Sequence, residues 1–402
     1  MAKTVPAILF LFFILSAIIL SCNTTQTKDE VTLDMEGVIQ NTKEVRLSEI
    51  AERIEYIKLE TNENALISNG RGARVLLENG YILISQRGIP LLVFDESGKY
   101  LRSIGSIGRG PGEYNIDYSF AFNERNERIY IFNVTRKAIH CFDIRGNYIH
   151  DIKPQESVIA FDYIGNDLFC GCLPCISNNG SSMYNYIIFD NNGEIKKKHY
   201  IPGEATSRTA GPESGTFFTR VIPPKFVKSP SGVNIFTSQN DSIFTIYKDG
   251  SMKISFSWDL GKFDSGYDFL DQESEKPESG KFIDTFMAFE SEKNWFIYFN
   301  KADNPHRALY SKQQNEYYEI LPLGKTLVND IDGGPSFWPN FNSNEGKSFA
   351  TLLDPVRVKR SMENGDFDNI NIKYPQKNHE LVKLFSSLSE NDNPVIRIVH
   401  LK

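Results

Sequence analysis

Four groups of residues have types and spacings that could do chemistry. Gly105-Ser106-Ile107-Gly108-Arg109-Gly110-Pro111-Gly112 is rich enough in glycine for its backbone N–H groups to cradle an anion, and Arg109 adds positive charge. A phosphate loop, however, closes on Lys-Ser/Thr and opens a helix, whereas Glu113-Tyr114 leads here into a strand. The segment therefore reads as a crossover between packed sheets, with Arg109, Glu113 and Tyr114 as candidate lining residues of a ligand face. Cys170-Gly171-Cys172-Leu173-Pro174-Cys175 holds a Cys-x-x-Cys pair, but no second pair and no nearby His complete a zinc or redox site. With Cys141 these residues read as a structural disulfide or as buried thiols. The six histidines, His140, His150, His199, His306, His379 and His400, form no HxH or HxxxH pair, so neither a metal nor a cofactor is expected. The fourth group is Asn329-Asp330-Ile331-Asp332-Gly333-Gly334-Pro335-Ser336-Phe337-Trp338. Two carboxylates roughly 5–10 Å apart can cleave a glycosidic bond, and Trp338 could stack on a sugar or a peptide. The competing reading is turn and edge packing. A calcium loop would need a different spacing, and no GxSxG or Ser-His-Asp order supports a nucleophilic enzyme.

What must position these groups is a repeat. Val93-Phe94-Asp95-Glu96-Ser97-Gly98-Lys99-Tyr100 recurs as Cys141-Phe142-Asp143-Ile144-Arg145-Gly146-Asn147-Tyr148 and as Ile188-Phe189-Asp190-Asn191-Asn192-Gly193-Glu194-Ile195. A looser copy ends at Gly250, and a fifth, Tyr310 to Tyr317, lacks the glycine. Each string is an apolar strand end, an Asp-x-x-Gly turn and a new strand. The Asp carboxylate can accept from turn N–H groups, and Gly supplies positive φ. Another apolar strand precedes each turn, as in Tyr81-Ile82-Leu83-Ile84 and Ile129-Tyr130-Ile131-Phe132. A four-strand unit roughly every fifty residues, without helices between, predicts propeller blades. Five are legible from Ala73 to Leu321, and residues 322–402 supply a sixth; seven is the alternative count. Leu381, Leu384, Phe385 and Leu388 recur at helical spacing and predict a short helix there. Ile54 to Leu59 alternates like a strand and is expected to pair with the C-terminal blade, closing the ring.

The chain's start carries an address. Lys3, the apolar run Val5–Leu20 and Ile19-Leu20-Ser21-Cys22 form a signal peptide, too short to span a membrane, whose end resembles the lipobox of bacterial lipoproteins. That resemblance implies acylation of Cys22 after removal of residues 1–21. Asn23, in place of an inner-membrane-retaining Asp, points to the outer membrane, on its periplasmic face or at the cell surface. Residues 22–46 are polar and acidic and read as a flexible tether, leaving 47–402 for the propeller. The net charge of −7 and the lack of a basic stripe argue against a nucleic-acid partner.

The glycine-rich run Gly105–Gly112 with Glu113-Tyr114, followed by Ile129–Phe132 and Phe142-Asp143-x-x-Gly146, resembles the inter-blade pattern of NHL-type propellers. The whole, from about Leu47 to Lys402, resembles the six-bladed β-propeller lipoproteins of Gram-negative bacteria. The resemblance implies an all-β ring at an extracytoplasmic address. The expected role is a lipid-anchored binding or scaffold module for a protein or glycan. The alternative is a polysaccharide hydrolase or lyase with carboxylates in the central funnel.

Overall fold

A computed structural model describes residues 30–402 except 69–71, 116–117, 175–184, 202–206, 210–218, 222–223, 238–240, 265–281, 302–303, 323–325, 344–345 and 368–369. Cys22, the signal segment and Cys175 thus lie outside the described residues. Six blades of antiparallel strands form one ring. Blade one is Arg74–Glu78, Tyr81–Ser85, Leu91–Asp95 and Tyr100–Ile104, from the inner strand outward. Blade two spans Phe120–Asn123 to Tyr148–Ile152, blade three Ala160–Gly165 to Ile195–His199, blade four Lys225–Ser229 to Met252–Asp259, and blade five Ile283–Glu290 to Glu316–Leu321. Blade six is a composite. Phe341–Ser343, Ser348–Leu353 and Val395–Leu401 come from the C-terminal part, and its outer strand is Ala51–Lys58. The expected closure is present, with Ile57 opposite Ile396 and Glu55 opposite Ile398.

The middle strands are continuous apolar runs because each blade is covered on both faces. In Leu91–Asp95, Leu92 and Phe94 pack toward blade six with Ile82, Ile396 and Ile398. Leu91 and Val93 pack toward blade two with Phe120, Ile129 and Ile131.

The repeated turn is where consecutive blades touch. Gly98, Gly146, Gly193 and Gly250 all have φ between +77° and +90°, and Asn315 takes the left-handed position in blade five. A Cβ at Gly98 would overlap the Lys58 carbonyl oxygen, and one at Gly193 the Lys153 carbonyl oxygen. Backbone hydrogen bonds then latch the blades together. Glu60 N donates to Gly98 O (2.8 Å), and Tyr100 N donates to the Glu60 carboxylate (2.9 Å). Gln155 does the same for Gly193 O (3.0 Å) and Ile195 N (3.2 Å).

Two features differ from the sequence reading. The tether expected over 22–46 is folded from Val31 onward. Val31–Asp34 adds a parallel fifth strand to blade four and Thr42–Glu44 one to blade five. The helix Met35–Gln40 between them buries Met35 and Val38 against Trp258, Trp295 and Tyr310. Charge concealed this segment, because only Leu33, Met35 and Val38 need to be apolar for it to dock. Secondly, the predicted helix, Pro375–Ser386, is accompanied by a second, Pro355–Glu363, whose first turn is capped by Asp354.

The turn aspartates give the fold a pH signature. Asp95 accepts from Ser97 N (2.9 Å) and Lys99 N (3.0 Å), Asp143 from Asn147 N (2.8 Å), and Asp190 from Asn192 N (2.9 Å) and Glu194 N (3.0 Å). All three carboxyls lie below their ordinary range. The Ser97 hydroxyl is the main cause at Asp95. At Asp143 and Asp190 burial pushes upward but is outweighed, by the bonds from Asn147 and from Lys196 with the turn amides respectively. A depressed folded pKa adds stability above the unfolded carboxylate pKa of about 3.9, and that stability is lost as pH falls through the folded value. Melting temperature should therefore drop between about pH 5 and about pH 2, and the triple variant Asp95→Asn, Asp143→Asn, Asp190→Asn should show a shallower drop. An unchanged slope would refute the role assigned to the turns.

Candidate functional site

The meander order gives the ring two unlike ends. At one end lie short turns joining first to second and third to fourth strands, such as 79–80, 166–167, 96–99 and 191–194. At the other lie the connections between blades, including 59–73, 105–119 and 322–340, and the 354–394 excursion that carries both helices. These are called here the turn end and the loop end.

The sequence candidates fall on two loop-end connections, separated by the one joining blade six to blade one. In the first, Arg109 is exposed, and its carbonyl accepts from Arg136 Nη2 (2.7 Å). Glu113 folds back so that its carboxylate accepts from Gly110 N (2.6 Å) and lies against Gly108. The glycine-rich loop does cradle an anion, and that anion is its own Glu113. Tyr114 is fully buried, donating to Ile104 O and accepting from Leu91 N (2.9 Å). Burial pushes its hydroxyl pKa far up.

In the second connection the two acids are structural ties. Asp330 accepts from Ser48 N (2.9 Å) and Ser48 Oγ (2.6 Å), holding the short helix Leu47–Ile50. Asp332, 2% exposed, accepts from Tyr56 Oη (2.9 Å), Asn329 Nδ2 (2.6 Å) and Gly334 N (3.0 Å). Burial raises its carboxyl pKa, against those bonds. Fully buried Arg397 donates to Thr351 Oγ1 (3.0 Å), Ser336 O (3.1 Å) and Pro335 O, and lies over Phe337. Trp338 is 9% exposed. Phe296 meets its ring edge-on at 5.7 Å and Arg307 covers it at 5.9 Å, which leaves no open face for a sugar.

Of the cysteines, Cys141 is a free buried thiol with its pKa pushed up to about 11 by burial, too high for a nucleophile at neutral pH. Cys172, also buried, donates its thiol to Leu173 O (3.5 Å). Among the described residues no group of His, Cys, Asp and Glu has the geometry to hold a metal ion.

Sequence reasoning missed a cleft at the turn end, between blades two and three. Its volume is about 450 Å³, and it is lined by Asn126, Arg128, Tyr130, Cys141, His150, Asp151 and the pair Asn191–Asn192. Tyr130, Cys141 and His150 are register partners across three strands, so they form one row facing blade three. On the other face of blade two runs a hydrogen-bonded chain, buried at Asn133 and His140 and exposed at Tyr148. Asn133, oriented by Arg136 N (3.1 Å) and Glu113 O (3.0 Å), donates to His140 Nε2 (3.1 Å). His140 therefore carries its proton on Nδ1 and donates it to Asp151 (2.5 Å), which also accepts from Tyr148 Oη (2.9 Å). The signal for the cleft was present but faint. It needed the strands of blade two aligned in register and the two adjacent asparagines of the third turn noticed.

A family model described as "Domain of unknown function (DUF4934)" matches residues 30–400. The chain belongs to that family. No curated protein sequence matches it. Among solved structures, it is similar to a "putative exported protein" from Bacteroides fragilis. That likeness has a TM-score of 0.69 at 17% identity, and covers 93% of this chain and 99% of the other. A DUF4221 family member from Bacteroides vulgatus is more distant, with a TM-score of 0.45 and 10% identity over 88% of this chain and 97% of that one. The first likeness supports the six-bladed ring over nearly its whole length.

Removing Asp332 should act on folding. Asp332→Ala leaves three buried donors unmet and should lower stability by about 3 kcal/mol or more, read as a fall in melting temperature. Retained stability with loss of a ligand would instead make the carboxylate functional.

Proposed function

We propose that this protein is an extracytoplasmic binding module, tethered to the outer membrane through acylated Cys22, that engages a protein partner through the loop end of its ring. One observation carries the reading. Of the seven large apolar side chains exposed among the described residues, Leu66, Val134, Tyr200, Tyr374 and Val382 are all on loop-end connections. Exposed apolar groups gathered on one face mark interaction surfaces. Aliphatic Leu66, Val134 and Val382 suit a protein surface better than a hydroxyl-covered glycan. Burial of Asp330 and Asp332 in structural ties weighs against polysaccharide cleavage there. The tether reading is supported by the Leu20-Ser21-Cys22 motif and by the exported character in the name of the B. fragilis relative.

The test is purification from membranes after mild cross-linking, followed by mass spectrometry. A stoichiometric protein should be captured, with cross-links on the loop end, and it should be lost in a Tyr374→Ser, Val382→Asp double variant. Cys22→Ala should move the protein to the soluble fraction. No specific protein partner, or cross-links confined to the turn end, would overturn the binding assignment. Membrane retention of Cys22→Ala would overturn the tether.

A further inference from the structure

We propose that the turn-end cleft between blades two and three binds an acidic sugar, with its carboxylate on Arg128 and its hydroxyls on the amides of Asn126, Asn191 and Asn192. The cleft's volume of about 450 Å³ is within the range of small-molecule sites. Tyr130 and Cys141 also line it but are almost fully buried, so its open surface is mainly that of the polar side chains.

The walls are unusual in what their polar groups do. Among the described residues, the side chains of Asn126, Arg128, His150, Asn191 and Asn192 make no hydrogen bond or ion pair within the protein, although nearby carboxylates are at hand. Asp143, opposite Arg128 in register, accepts instead from Asn147 N and Nδ2 (both 2.8 Å). Asp151 is taken by His140 and Tyr148, and Asp190 by its turn amides and Lys196 (2.9 Å). Asp151, which itself lines the cleft, is thus engaged, as are Asp143 and Asp190, while a guanidinium and three amides are left with open hydrogen-bonding capacity.

A guanidinium presents a planar fork that matches a carboxylate at two points. Amides both donate and accept, as sugar hydroxyls require. A neutral sugar would leave Arg128 unmatched, and a bare anion would leave the amides idle. An acidic sugar uses both. The site is separate from the loop end, so its failure would leave the protein-partner reading intact.

Isothermal titration of the ectodomain with digalacturonate, and with lactose as the neutral control, tests the assignment. Digalacturonate should bind and lactose should bind at least tenfold more weakly. Arg128→Gln should weaken digalacturonate binding by about tenfold or more, Arg128→Lys should recover part of the loss, and Asn192→Asp should weaken it by like-charge repulsion. Melting temperatures of all three variants should stay close to that of the unmodified protein, because these side chains make no internal hydrogen bond or ion pair. No binding of digalacturonate, equal binding of lactose, or affinity insensitive to Arg128→Gln would each overturn the proposal.

Discussion

The ring depends on the pairing of Ala51–Lys58 with Val395–Leu401. Each blade is apolar on both faces, so none can be stable without neighbours on both sides, and only a closed circle provides them for all six. The closing pair joins residues near opposite ends of the chain, which makes it the most expensive contact in loop entropy. Leu59, Ala65 and Ile67, just beyond the closing strand, pack into the same interface as Phe94 and Ile396. Asn393 ties this corner further, accepting from Ile67 N (2.8 Å) and donating to Glu60 O (2.7 Å). Before closing blade six, the N-terminal segment has already covered the outer edges of blades four and five. Two of the six blades therefore have their outer strand edges covered by the segment Val31–Glu44, which removes templates for unwanted pairing.

Closure also explains why the two ends of the ring differ. At the turn end the Asp-x-x-Gly turns pack against the preceding blade, and at Gly98 and Gly193 a Cβ would strike a backbone carbonyl oxygen. Polar contacts across the axis add to this. At the loop-end start of the inner strands, Arg74 of blade one donates to Phe120 O of blade two (2.8 Å) and pairs with Asp162 of blade three (3.3 Å). At the turn end, Lys228 of blade four sits between Glu78 (3.7 Å) and Glu124 (3.8 Å). The loop end has no such repeated constraint, and there the chain varies most, with the two helices inserted between strands of blade six.

Residues that look reactive in one dimension are mostly spent on holding this architecture. Glu113 fills the nest of its own glycine-rich loop, and Asp330 and Asp332 fasten the blade-five to blade-six connection to Ser48 and Tyr56. Carboxylates make strong local acceptors, so a chain that must bury irregular loops uses them wherever backbone N–H groups would otherwise lack partners. The side chains left with open capacity are plainer ones, an arginine and three asparagines on strand ends and turns.

Local periodicity determined the blade repeat, the turn chemistry, the helix around Leu381 and the closing strand, because each is written in neighbouring residues as alternation, an Asp-x-x-Gly string or helical spacing. It could not reveal that Val31–Glu44 docks as edge strands and a helix, since a parallel edge strand asks little of its side chains. Nor could it separate structural from available polar groups. Whether Asp332 meets water or Tyr56, and whether Arg128 meets Asp143 or an open cleft, is decided by partners distant in sequence that only the closed ring brings within hydrogen-bonding range.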